Sequence, residues 1–549
     1  MAGIARGGTA GIAGAAVSAV VNFALVIVIT RFWATEDAGA LFATTSLFLL
    51  AVALVELGVD QGFVRYIAWF RARREHARVP AVLLAGFVPV GLASLVAAAV
   101  AIALAGPAAR LVGSHDPDMV ADMLRVLALG VPVAVFYDLL LAATRGYGTM
   151  RSTVVYERLL RPVVQLASVC AAAAAGVGPI GLTVAWVAPY AAALAGAVFA
   201  FRQVHHRHAR GAAAGPDRPA DAVSDLTRAD DTPGEADLPV VDADAIGRPP
   251  ARPRHRRRSS APLRAVAADF WRFTAARGLA RVFQVGLQRL DIVLVAALRG
   301  PKDAAIYTAA TRFLAVGQTA MQSAQQVLQP RLAALLAVHD TAATSAVFRT
   351  STAWFVAMSW PVYLISAVFA PVLLSAFGSS YQEASSALVV LCLAMLVATA
   401  AGPVDVVLVM AGKSAAQLVN TAAALALDIV LCLILVPRYG ALGAALAWTA
   451  AILMRNALSV VQVRSNLGMD ARSPALAKVV GAALVTAGLL PWLVSLILPG
   501  LTGLVVGLLV ATSAFGAVLW RLRTAIGLDA FATLVRRRPG SSVPAGSRS

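Results

Sequence analysis

Residues 34–46 read ATEDAGALFATTS and residues 300–312 read GPKDAAIYTAATR, two stretches in which an acidic turn leads into small and apolar residues. A second pair follows in the same order, GPIGLTVAW at 178–186 and GALGAALAW at 440–448. The two pairs are offset by 266 and 262 residues, so the chain carries two copies of one long unit.

The copies are built from oil. Of 549 residues, 59% are hydrophobic and 13% charged, with mean hydropathy +0.77, a balance that excludes a soluble globular chain. Apolar runs of about 20 residues, the length of a membrane-spanning helix, occur near 10–31, 38–58, 81–106, 122–144, 159–175 and 181–201. They resume near 275–298, 304–328, 351–375, 385–411, 417–436, 443–463, 476–498 and 501–520. Counting six before the gap and eight after it predicts an all-α polytopic membrane protein of about fourteen transmembrane helices. The first run is expected to be retained, because its apolar core is too long for a secretory signal and a second span follows at once.

Six spans per copy is an even number, so both copies enter the membrane from one side. That makes a parallel repeat about an axis along the membrane normal, with a substrate path expected between the lobes. The expected organisation is an N-terminal six-helix lobe at 1–201, a disordered cytoplasmic linker at 202–262, and a C-terminal six-helix lobe at 263–463. An appended helix pair at 464–520 and a basic cytoplasmic tail at 521–549 complete it. The linker is rich in Pro, Gly, Asp and Arg and lacks the large apolar residues a core needs. Its acids come first and the basic PRHRRR last, which suits a tether lying on anionic lipid headgroups.

Lys and Arg accumulate in short cytoplasmic loops. With the N-terminus inside, the loop after the second span holds Arg65, Arg71, Arg73, Arg74 and Arg78, and the tail holds Arg521, Arg523, Arg536, Arg537, Arg538 and Arg548. The outside loops offer only Arg31, Arg110, Arg299, Lys302 and Arg438. Both termini are therefore expected in the cytoplasm, and the formal charge of +18 needs no nucleic acid to explain it. Cys170, Cys392 and Cys432 lack metal or redox spacing and are expected to be packing residues. HHRH at 205–208 is read as part of a solvated basic loop.

Four stretches carry a family resemblance: ITRFWATEDAGALFA at 29–43, ELGVDQGFVRYIA at 56–68, RLDIVLVAALRGPKDAAIYTAATRF at 289–313 and FGSSYQEASSALVVL at 377–391. They resemble the lipid-linked oligosaccharide flippases and polysaccharide exporters of the multidrug/oligosaccharidyl-lipid/polysaccharide (MOP) superfamily. The resemblance implies two six-helix lobes around a central cavity that opens alternately to each side. It also implies export of a polyprenyl-pyrophosphate-linked saccharide across the plasma membrane, with glycosyltransferases and a polymerase of the same pathway as partners. Members similar to the lipid II flippase carry an extra helix pair, which fits the last two spans.

Where the second half opens, Arg277, Arg281, Gln284, Gln288 and Asp291 recur at intervals of 4, 3, 4 and 3 and so share one helix face. The next span repeats the device with Thr308, Arg312, Thr319, Gln322 and Gln326. An ionised side chain facing lipid costs at least about 2.5 kcal/mol near the bilayer centre, so such faces usually look into a bundle or a wet cavity. Cations for phosphate and amides for hydroxyls suit a pyrophosphate-sugar headgroup. Snorkelling to the interface is the rival reading of Arg277, and Arg289, off the stripe, suggests an ion pair with a neighbouring helix. Arg161, Gln165 and Ser168 form a shorter stripe in the first lobe, where Arg161 equally suits an anchor at a span end.

Glu56, Asp138, Asp405 and Asp428 are candidates for coupling to a proton or sodium gradient, and each equally suits an ion pair, with Arg455 as one partner. No cofactor or metal is expected. The rivals are a cation-coupled small-molecule or drug exporter and, further off, a polyprenyl-dependent membrane glycosyltransferase, for which HDPD at 115–118 is a faint echo. AGKS at 411–414 lacks the required glycine at position 407, which is Val, and excludes a P-loop. No enzyme activity is expected.

Overall fold

The computed structural model describes residues 2–73, 75–113, 116–213, 263–338 and 340–524. Every regular element among them is helical. The first half comprises α1 (Ala2–Phe32), α2 (Thr35–Glu56), α3 (Val59–Ala72), α4 (Val79–Ala103), α5 (Ala105–Leu111), α6 (Pro117–Gly146), α7 (Arg161–Ala174), α8 (Pro179–Val187) and α9 (Pro189–Ala213). The second comprises α10 (Leu263–Arg299), α11 (Pro301–Ala337), α12 (Thr341–Val368), α13 (Ala370–Ser375), α14 (Ser385–Ala400), α15 (Val404–Met410) and α16 (Ser414–Leu467). α17 (Pro474–Ala483), α18 (Leu490–Ile497) and α19 (Gly500–Arg521) follow.

Local chemistry sets the helix ends. Asp116, Asp340 and Ser473 cap α6, α12 and α17 by accepting backbone N–H bonds three residues on, at 3.0, 2.8 and 3.1 Å. Glu36 and Asp37 place negative charge at the positive end of α2. α2 stops where Leu57 and Gly58 turn left-handed, at φ 43° and 74°.

Nine helices among the described residues are long and apolar enough to cross a membrane, against fourteen expected spans. The difference has physical causes. α16 is a single run of 54 residues broken at Gly440, whose φ of 53° and ψ of −129° fold it into two legs. Asn420 on one leg bonds Ser459 and Gln462 on the other, at 3.2 and 2.9 Å. α10 and α11, 37 residues each, have the length of a span but are not among the nine, because the charges and amides of the two predicted stripes interrupt them. The fifth run, near 159–175, begins in a π-helical turn at Thr153–Leu160, which leaves α7 only 14 residues long. The boundary expected at 202 falls inside α9, which continues to Ala213. HHRH therefore lies on a helix, with His205 Nδ1 2.8 Å from the Tyr147 hydroxyl. The rest of the expected linker, 214–262, and most of the tail lie outside the described residues.

α2 runs along the seam between the halves, packed on α10 and α11. Near its start a Cβ on Gly39 would overlap the carbonyl of Pro301, the first residue of α11. At its other end, a Cβ on Gly278 of α10 would overlap the backbone of Leu57. Only glycine allows such backbone approach. The Gly39 end is further closed by Arg31, which donates to the carbonyls of Ser375 and Ala376 at 2.8 Å, and by the rings of Phe23, Phe313 and Phe377, 5.2 to 5.8 Å apart. The Gly58 end is tied by Tyr66 donating to Asp269 O and Trp271 donating to Ala85 O, at 2.9 and 3.0 Å.

Gly39→Ala is expected to destabilise the protein by about 1–3 kcal/mol through overpacking. Gly106→Ala, where a Cβ would meet nothing within 4 Å, should leave stability unchanged. Thermal unfolding of the two variants in detergent checks the pair; equal transitions would mean the seam is loose at Gly39.

Candidate functional site: charged groups along the seam

The two stripes do not have one environment along their length. On α10, Arg277, Arg281, Gln284 and Gln288 are exposed, and the line ends in Asp291, which is 3% exposed. Asp291 accepts from the Tyr307 hydroxyl of α11 at 2.6 Å and from its neighbour's amide, Ile292 N, at 2.8 Å. Arg289 and Arg312 lie within electrostatic range of it. Both arginines are half-buried, and the Arg312 Nε is enclosed without a hydrogen-bond partner. Asp428 of α16 is fully buried nearby, its Oδ1 3.9 Å from the Cys432 sulfur and its Oδ2 unpartnered. The arrangement is an open basic and amide track leading to a closed cluster of two carboxyls and two guanidiniums. On α11, Gln322 is exposed, whereas the side chain of Gln326 lies outside the described residues.

The first half supplies a facing cluster. Arg161 of α7 donates to the Tyr190 hydroxyl of α9 at 2.6 Å and lies over its ring, 4.9 Å from the centroid. Tyr190 is also within electrostatic range of Arg289 across the seam. Glu56 and Asp138 lie within electrostatic range of each other, and Arg145 pairs with Glu157 at 3.3 Å. Gln165 and Ser168 do not extend the Arg161 stripe into open space. They donate to the carbonyls of Trp186 and Ala185 at 2.8 and 2.6 Å and so fasten α7 to α8.

Of the four candidate coupling acids, Asp405 has a structural partner of the expected kind. It pairs with Arg455 at 3.4 Å and accepts from Ser459 at 2.9 Å. Arg289 and Tyr190 were not candidate site residues in the sequence. Arg289 falls off the α10 stripe, and no periodicity on one helix reveals a tyrosine arriving from another. Groups of three or more His, Cys, Asp or Glu able to hold a metal ion are absent among the described residues.

The MatE family model matches residues 278–434, the region from α10 into the first leg of α16. A solved lipid II flippase, MurJ in an inward closed conformation, superposes with TM-score 0.58 at 10% identity, covering 94% of this chain and 98% of its own. An inward-facing multidrug resistance MATE family transporter of the MOP superfamily superposes with TM-score 0.59 at 15% identity, covering 84% and 96%. A MOP superfamily transporter from Pyrococcus furiosus gives TM-score 0.52 at 15% identity, covering 85% and 95%. No curated protein matches by sequence. The chain carries a MatE domain and the fold of the MOP-superfamily transporters. The matched proteins are transporters rather than enzymes. In this MOP fold the charged clusters sit where α2, α10 and α11 meet, on the seam between the two halves.

Tyr307→Phe keeps the ring but leaves the enclosed Asp291 Oδ2 without its donor. A loss of about 1–3 kcal/mol of stability is expected from an orphaned buried acceptor. A thermal transition identical to the parent's would show that Tyr307 does not hold Asp291 in place.

Proposed function

We propose that the protein is a flippase that moves a polyprenyl-pyrophosphate-linked oligosaccharide, a cell-envelope polysaccharide precursor, outward across the plasma membrane by alternating access. The carrying observation is the track on α10, in which exposed Arg277, Arg281, Gln284 and Gln288 lead to Arg289 and Arg312. A diphosphate needs guanidinium forks, and sugar hydroxyls need amides that both donate and accept. Arg161 and Gln322 add to the same set from α7 and α11, and Gln326 continues the α11 series in sequence. The lipid tail needs no protein pocket, since the bilayer receives it. The extent of the match also supports the reading: the flippase structure spans 94% of the chain and the multidrug transporter 84%, a difference comparable to the appended α17–α19 pair. The arginine distribution supports cytoplasmic termini, which puts the Gly58 end of the seam on the cytoplasmic side.

A cation-coupled exporter of small molecules is the second reading. The buried Asp291 and Asp428 favour it, since a pair of enclosed carboxyls beside a transport path is how such carriers bind their coupling ion.

Depletion of the protein followed by lipid extraction from each leaflet separates the two. The flippase reading expects lipid-linked saccharide to accumulate on the cytoplasmic side; no accumulation, with increased sensitivity to small toxic compounds, supports the exporter instead. Arg281→Gln and Arg312→Gln should each abolish export while leaving membrane insertion intact, and normal export in both variants would dispose of the proposed binding track.

A further inference from the structure

Phe273 lies one turn before Arg277 on α10, so the polar face of that helix begins with an aromatic ring. Two guanidiniums rest on this ring. That of Arg277 is 5.8 Å from its centroid, and that of Arg65, which belongs to α3 in the first half, is 4.3 Å from it. One ring thus gathers a cation from each half of the molecule. The two guanidiniums lie no farther apart than those distances laid end to end, a span that one diphosphate bridges.

The ring is fixed by the packing of α3 on α10. A Cβ on Gly62 of α3 would overlap Thr274 and Phe270 of α10, and the Tyr66 ring lies 5.6 Å from Phe270 and 6.0 Å from Phe273. Both arginines are exposed, and among the described residues neither has a carboxylate within ion-pair distance. Other arginines at this end do find one: Arg78 pairs with Glu75 at 2.9 Å, and Arg272 takes the Asp269 carboxylate at 3.1 Å. Stacking covers the flat face of a guanidinium and leaves its N–H donors, which lie in the plane, free to bond. Two like charges drawn onto one ring repel each other. With no acid of the chain to offset them, the pair calls for an anion from outside.

We infer that Arg65 and Arg277, held on Phe273, form a diphosphate site at the Gly58 end of the seam, where a lipid carrier's headgroup is received before it passes along α10 to Arg281 and Gln284. A phospholipid diester carries one phosphate with a single charge, which one guanidinium fork satisfies. Two forks from two halves suit two linked phosphates. Phe273 is a positioning residue, since its ring holds both forks and leaves the phosphates to them. The cargo is that of the flippase reading, on which this assignment rests, but Arg65 lies outside the track proposed there, so the rim site can fail while the track stands.

The test is native mass spectrometry of the full chain in detergent, titrated with polyprenyl diphosphate, polyprenyl monophosphate and phosphatidylglycerol. The parent should bind the diphosphate about tenfold more tightly than either of the others, the contribution of a second charge-assisted fork. Arg65→Gln and Phe273→Leu should each erase the preference for diphosphate over monophosphate, and Phe273→Tyr should keep it. Arg73→Gln removes an arginine stacked on Trp69 at 4.2 Å within the first half and should leave the preference unchanged. Thermal transitions equal to the parent's show that the variants are folded; Arg65 is exposed, so Arg65→Gln serves if Phe273→Leu loosens the packing. A parent-like preference in Arg65→Gln overturns the rim site, and loss of binding in Arg312→Gln in the same series leaves the track standing. A parent without preference for the diphosphate, and unaltered binding in Arg312→Gln, overturns the flippase reading and the rim site together. Displacement of the diphosphate by an equal concentration of phosphatidylglycerol marks an ordinary anionic-lipid surface and overturns the rim site as well.

Discussion

An ionised side chain facing hydrocarbon costs at least about 2.5 kcal/mol at the bilayer centre, and both halves of this molecule are arranged around that cost. In the second half, Asp291 is held by the Tyr307 hydroxyl and flanked by Arg289 and Arg312. In the first, the Glu56–Asp138 pair is ringed by Arg145, Arg161 and Glu157. Neither cluster could exist on a lone helix. Each needs three or more helices to wrap it, so the charges that make α10 and α11 poor spans by composition also dictate that these helices lie inside the bundle. Function and fold share one requirement here.

The same requirement explains the glycines of the seam. If charged clusters on the two halves are to sense each other, the backbones between them must come close, and side chains larger than hydrogen would keep them apart. Gly39 against Pro301 and Gly278 against Leu57 set that spacing at the two ends of α2. Between these contacts, Leu41 and Phe42 of α2 share one buried apolar cluster with Leu287, Ile292 and Ile306 of the second half. At the Gly278 end the rings of Phe63 and Tyr66 from the first half pack on Phe270 and Phe273 from the second, beside the polar tie from Tyr66 to Asp269.

Periodicity made much of this legible in the sequence. The spacing of Arg277, Arg281, Gln284 and Gln288 fixes a shared face on any helix, and the four are exposed together. The repeat anchors at 34–46 and 300–312 fall at equivalent helix junctions, between α1 and α2 and between α10 and α11. The anchors at 178–186 and 440–448 fall at the start of α8 and at the Gly440 break. What stayed hidden depends on two helices at once. Arg289 suggested an ion pair with a neighbouring helix, but the acid near it, Asp291, is on its own helix, and what the neighbouring element brings is the Tyr190 hydroxyl. Gln165 and Ser168 looked like cavity residues because a helical stripe cannot distinguish water from the carbonyls of Trp186 and Ala185.

The span count shows the same limit from another side. A hydropathy window reads α10 by its average, and Arg281, Arg289 and Asp291 pull that average down. The fold reads it by its surroundings, in which every one of those groups has a charged or aromatic hydroxyl neighbour from another helix. A transporter of polar cargo has to fail the window test somewhere, because a helix lining a path for charged groups cannot also be uniformly apolar. The helices that miss the apolar criterion are therefore the ones to which the chemistry of transport should be traced, and α10, which touches α2, α11 and α16 at once, is the element through which a charge change in one half can reach the other.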